Sequence, residues 1–155
     1  MAKTVFFSFH YERDVHRVHL VRNINALEGQ ALLNAQDWES VRSRGNQAVE
    51  DWIDEQMRYK RAVVVLVGHQ TASRPWVIYE IQKAWTERKP LLGVRIHGLS
   101  SMGNVDRPGA DPFDAAGLGS AGIPLFDPTR SDSQATYGAL RLNLAAWSDQ
   151  GVKRP

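Results

Sequence analysis

The chain has 155 residues, 43% of them hydrophobic, enough for one ordinary core and too few for two, so a single domain over residues 1–155 is expected. Cysteine is absent, which excludes a disulfide framework and a thiolate zinc site; 19 Lys and Arg scattered among 17 acidic residues leave a net charge of +2, with no stripe to track a nucleic acid. The opening residues are apolar too briefly for a signal peptide or a membrane span, so a soluble cytoplasmic protein is expected, with neither nucleic acid nor membrane as partner.

Residues 5–9 form a short apolar run of strand formers, and the polar stretch 10–14 reads as the loop after it. Leu20, Val21, Ile24 and Leu27 recur at helical spacing and stop before Gly29, a C-cap residue. Residues 31–33 read as a short second strand and 37–39 as the loop beyond it. Val49, Trp52, Ile53 and Met57 trace the next helix, with Ser43 or Asn46 as its cap.

Residues 62–68, Ala-Val-Val-Val-Leu-Val-Gly, are a near-unbroken apolar run of the kind a parallel strand buried on both faces requires. Pro75 suits the first turn of the following helix, whose buried stripe is Val77, Ile81, Ala84 and Trp85. Residues 91–96 read as a further strand. From 98 to 124 the chain is rich in Gly, Pro and Asp without periodicity, an irregular segment of the length that usually serves a function, and a lid is one role for it. An edge strand at 123–126 and a last helix carrying Tyr137, Leu140, Leu144 and Trp147 complete the series.

Strands alternating with helices predict an α/β fold: a flavodoxin-like three-layer sandwich around a parallel sheet of about five strands, the second outermost and the first beside the third. Ligands of such sheets bind beyond the carboxyl ends of the strands at the switch point. The loops at 8–14 and 69–76 would then face each other across one crevice.

Glu80 sits on the shoulder of its helix's apolar stripe, where a carboxylate can look into that crevice; the plain alternative is a solvated helix glutamate. Trp38, Trp76 and Tyr79 surround the crevice and could stack on a ring, or simply pack the core. Ser8, His10, Tyr11 and Arg13 stand beside a helix N-terminus that attracts phosphate, though polar residues also favour turns and caps.

Several chemistries lack their residues. There is no Gly-x-Gly-x-x-Gly or Gly-Lys-Ser/Thr loop and no Gly-x-Ser-x-Gly elbow, which argues against a Rossmann dehydrogenase, a P-loop NTPase and a serine hydrolase. His16 and His19 have no third ligand nearby, so no metal site is expected. Asp14, Asp37 and Asp51 could suggest a receiver pocket, but Val67, Gly68 and His69 offer no phosphoacceptor at the end of the third strand.

Four segments together carry a resemblance: Val5-Phe-Phe-Ser-Phe-His-Tyr11, Trp38-Glu39, Val67-Gly-His-Gln-Thr71 and Arg74-Pro-Trp-Val-Ile-Tyr-Glu-Ile81. They resemble the TIR-like proteins of the bacterial Thoeris antiphage system, the Thoeris B family. With 93–96 and 111–114, the likeness spans most of the first 114 residues.

The resemblance implies a TIR-type fold and an enzyme that takes NAD+ as substrate, with no bound cofactor. It would cleave the nicotinamide–ribose bond and make a cyclic ADP-ribose-type signal for an effector protein. Glu80 falls on the family's catalytic glutamate. The substrate is then expected against Ser8, Phe9, His10, Asp37, Trp38 and Trp76, with Phe9 and Trp38 flanking its rings and His10 steadying the pyrophosphate. The resemblance also implies control by a phage-derived trigger or by self-assembly. The rival readings are a non-catalytic TIR-like signalling scaffold and a flavodoxin-like nucleotide binder without turnover, since fold alone does not separate them.

Overall fold

The computed structural model describes residues 2–155. Its centre is β3 (Ala62–Val67), whose six side chains are all buried, as a strand covered on both faces demands. On one side β3 pairs with β1 (Lys3–Ser8), in register from Val5 against Ala62 to Ser8 against Val65; on the other it pairs with β4 (Leu91–Arg95). The short edge strands β2 (Leu27–Glu28) and β5 (Leu125–Phe126) complete a five-stranded sheet in the order β2-β1-β3-β4-β5, every pairing parallel. The expected flavodoxin-like topology is therefore present, with the switch point between β1 and β3.

Alternation along the strands divides the core. Val5 and Phe7 of β1 with Val64 and Leu66 of β3 pack under α1 (Tyr11–Asn23) and α6 (Ser133–Ser148), through Val18, Val21, Leu140 and Leu144. Phe6, Val63, Val65 and Val67 face the other way, onto α3 (Asn46–Met57) and α4 (Pro75–Thr86), through Val49, Ile53, Met57, Val77 and Ile81. The short helices α2 (Ala35–Ser43) and α5 (Pro112–Ala115) join this second layer through Val41 and Phe113. Among the described residues no helix is long and apolar enough to cross a membrane.

Three local readings change. The stretch 10–14 is not a loop: α1 begins at Tyr11, and Glu12 and Asp14 supply its first turn with the negative charge the helix dipole favours. That helix stops at Ile24, followed by Asn25 in the left-handed conformation (φ 60°), so Leu27 belongs to β2 and Gly29 caps nothing. Residues 31–33 are not a strand, and 37–39 lie inside α2, whose cap is Asn34 Oδ1 accepting from the Asp37 amide at 2.8 Å.

The second strand is short because a side chain continues it. β2 pairs only Lys3 with Leu27 and Thr4 with Glu28. Beyond them the Gln30 side chain accepts from the Phe7 amide and donates to the Phe7 carbonyl, both at 2.9 Å, in place of a neighbouring backbone. Gln30→Leu should therefore cost about 2–4 kcal/mol, because both buried Phe7 groups lose their partner. Urea unfolding of the two proteins measures it, and a cost below about 1 kcal/mol would show that the backbone re-pairs.

The segment 98–124 is strapped down. The fully engaged Arg17 donates to the Leu99 carbonyl (2.8 Å), the Asn104 carbonyl (3.0 Å) and Asp14 (3.0 Å). Arg13 binds Asp106, holding that carboxyl down at about 2, and Arg95 donates to the Gly109 carbonyl at 2.7 Å. Gly109 lies so close to the end of β3 that a Cβ there would sit 2.4 Å from the Gly68 carbonyl oxygen. Phe113 is then buried in the core, over a Gly93 whose missing side chain leaves room for its ring.

Candidate active site

Proline fixes the first turn of α4, and Val77 and Ile81 pin that helix to the sheet. Glu80, between them, is drawn against the carboxyl end of β1, where it is only 7% exposed. There the Ser8 hydroxyl donates to Glu80 Oε1 at 2.6 Å, a bond joining residues 72 apart in sequence. Among the described residues Oε2 takes no hydrogen bond, and Glu80 forms part of the wall of a cleft of about 210 Å³. Burial pushes its carboxyl from the ordinary 4.5 up to about 8, outweighing the Ser8 hydrogen bond, which favours the ionised form.

Of the residues expected against the substrate, Phe9, His10, Trp38 and Trp76 line this cleft. Ser8 does not: it is fully buried behind Glu80, so it positions the carboxylate rather than meeting a ligand. Asp37 is exposed on α2 and outside the wall, because the segment expected as a loop is helix and turns that residue outward. Tyr79 also points away. Its hydroxyl donates to Asp54 of α3 at 2.9 Å, and burial with that carboxylate's hydrogen bond pushes its pKa up to about 12.

The sequence reading missed Gln30, Leu32, Leu33 and Arg74 as wall residues and had Tyr11 as a phosphate-side or turn residue rather than as lining. Leu32 and Leu33 have the apolar signal of a strand but serve as lining. The Tyr11 hydroxyl donates to the Leu33 carbonyl at 2.6 Å, holding the lining segment against α1. Phe9, Tyr11, Trp38 and Trp52 form a row with centroids 6.1, 6.2 and 5.9 Å apart, which keeps the cleft apolar along one side.

His10 is buried at the cap of α1, its Nε2 3.4 Å from Glu12. Burial and then the charge of Arg74 push its pKa below the usual histidine value, so the ring is neutral at pH 7. A second groove of about 610 Å³ runs on from the cleft between α1 and α2, the two sharing Tyr11, Trp38 and Arg42. His16 and His19 line that groove, but among the described residues no three His, Asp or Glu gather as metal ligands.

The sheet order is that of the flavodoxin-like class, to which TIR-like domains belong, with Glu80 and Ser8 meeting at its switch point. The TIR-like domain of the Thoeris protein ThsB matches residues 6–101, and the chain belongs to that family. It is 35% identical over 123 residues to a protein of Bacillus cereus (strain MSX-D12) named "Putative cyclic ADP-D-ribose synthase ThsB1". The match covers 76% of this chain and 64% of that protein, so the chain spans less than two thirds of the relative's length.

Proposed function

We propose that this protein cleaves the nicotinamide–ribose bond of NAD+ and closes the remaining ADP-ribose into a cyclic product. That product would act as a diffusible signal to an effector protein in antiphage defence, and the name of the Bacillus cereus relative supports the cyclic outcome. NAD+ is the substrate, and no bound cofactor is invoked.

The single observation that carries the reading is Glu80, buried at the switch point with one carboxylate oxygen free. Glu80's place in an apolar cleft, with burial raising its pKa, supports the enzyme reading over the scaffold, because such groups concentrate at catalytic sites. The ligand that suits it is a cation. The pyridinium of NAD+ brings positive charge to the carboxyl and drives off its proton.

Cleavage then sends the bonding pair to nicotinamide, which leaves neutral, while positive charge moves onto the ribose. A carboxylate fixed beside that ribose stabilises the developing cation in a site where little water screens it. Phe9, Trp38 and Trp76 supply the apolar walls that keep water out. The cation is captured by a group of the same molecule to give the ring, or by water to give ADP-ribose. The cleft of about 210 Å³ suits nicotinamide and its ribose, and the adenosine end would extend into the adjoining groove.

Control by a phage-derived trigger or by self-assembly belongs to the same proposal, so the test uses the protein alone and with extract of infected cells. Nicotinamide and a nucleotide lighter than ADP-ribose by one water are the expected products, read by mass spectrometry. ADP-ribose alone would make the protein a hydrolase. Unconsumed NAD+ under both conditions would leave it a scaffold.

A further inference from the structure

Among the described residues, all but one of the guanidinium groups around the cleft are paired with carboxylates. Arg13 holds Asp106, Arg17 holds Asp14 and Arg42 holds Glu12. Arg74, half-buried in the cleft wall, has no hydrogen bond or ion pair from its side chain among the described residues. It stands at the cap of α4, where it supplies no side-chain acceptor, and the Trp76 and Val77 amides behind it have no acceptor either. In the same wall His10 is 7% exposed, and among the described residues its Nδ1 takes no partner.

Two free amides, a helix N-terminus and an unpaired guanidinium thus meet beside a neutral imidazole. A cation held half out of water with no counter-charge is an arrangement completed by an incoming anion. The start of α1, expected from sequence to steady a pyrophosphate, carries Glu12 and Asp14 in its first turn, which makes it the less favourable of the two helix starts for an anion.

We infer that Arg74, with the first free amides of α4, binds the diphosphate of a dinucleotide substrate whose nicotinamide riboside end lies against Glu80. The inference rests on the NAD+ reading for the identity of the ligand, but the anion site stands on its own geometry. Arg74 is a binding residue: it fixes where the dinucleotide crosses from the cleft toward the groove of Tyr11 and Trp38.

Titration calorimetry with two half-ligands tests it. ADP-ribose carries the diphosphate without nicotinamide, and nicotinamide riboside carries the cation without phosphate. Arg74→Ala should weaken ADP-ribose binding about tenfold or more and leave nicotinamide riboside within about twofold. Inorganic pyrophosphate should compete with ADP-ribose on the wild type, added salt should weaken that binding, and both effects should fade in the variant. Arg74→Lys should recover part of the loss, which a purely structural role would not require.

Unchanged ADP-ribose affinity in Arg74→Ala, or equal losses for both half-ligands, would overturn the diphosphate site even if nicotinamide release proceeds. Conversely, Arg74-dependent ADP-ribose binding without any cleavage of NAD+ would uphold the site and sink only the enzymatic reading. In turnover, the variant should raise KM for NAD+ with kcat little changed, because the diphosphate is held equally before and during bond breaking.

Discussion

Glu80→Gln will lower nicotinamide release from NAD+ by on the order of a hundredfold or more, with the fold intact. Gln keeps the size of the side chain and an oxygen for the Ser8 hydroxyl, but it carries no charge to meet the ribosyl cation. The same substitution should leave the protein as stable or more so, and the pH dependence of that gain is diagnostic. The folded carboxyl titrates at about 8 against an ordinary 4.5, so its protonated form is the one the fold favours. Stability from Glu80 is therefore whole at acid pH and falls as pH rises from about 4.5 to about 8. Glutamine does not titrate. Its advantage should be absent near pH 4, reach up to about 3 kcal/mol at pH 7 and level off above pH 8. Urea unfolding across that range reads it, and a difference independent of pH would place Glu80 in water rather than in the cleft.

Arg17→Met has the largest expected effect on stability, about 3–5 kcal/mol. Arg17 is buried, and its loss strands the fully buried Asp14, whose Oδ2 already lacks a partner, together with the Leu99 and Asn104 carbonyls. Burial already pushes the Asp14 carboxyl above its usual range despite Arg17. Without the guanidinium it rises further, so Asp14 costs the fold little in acid, where it is protonated, and more as pH rises and the unfolded chain ionises it. The deficit against wild type should be smaller at pH 5 than at pH 8. Adding Asp14→Asn should recover much of the loss at pH 8, because no charge is then left unpaired. Protection of the amides in 98–104 should fall with it, since Arg17 ties that part of the strap to α1 and the Arg13–Asp106 pair would be what remains from that helix.

The parts legible in the sequence were those written in local pattern. The apolar run of β3, the proline at the head of α4 and the stripe Val77, Ile81, Ala84 each follow from burial or helical period, and their alternation gives the strand order. Glu80 was legible as a shoulder position because Val77 and Ile81 fix which way α4 faces. The second strand was not, since a two-residue ladder completed by the side chain of Gln30 leaves no periodic trace. Leu32 and Leu33 misled for the opposite reason: a ligand cleft needs apolar walls as much as a sheet does. Asp37 followed from reading a helix as a loop. Arg74 could not be singled out, because being unpaired is a property of the whole surroundings and not of the residue.

The pH dependence of kcat/KM for nicotinamide release tests the central claim most directly, since it reports ionisation in the free enzyme. A buried Glu80 that must lose its proton to act predicts a rate rising about tenfold per pH unit from pH 6 and flattening near pH 8, with that limb absent from the residual activity of Glu80→Gln. A profile flat from pH 6 to 9, or the same limb in both proteins, would contradict it.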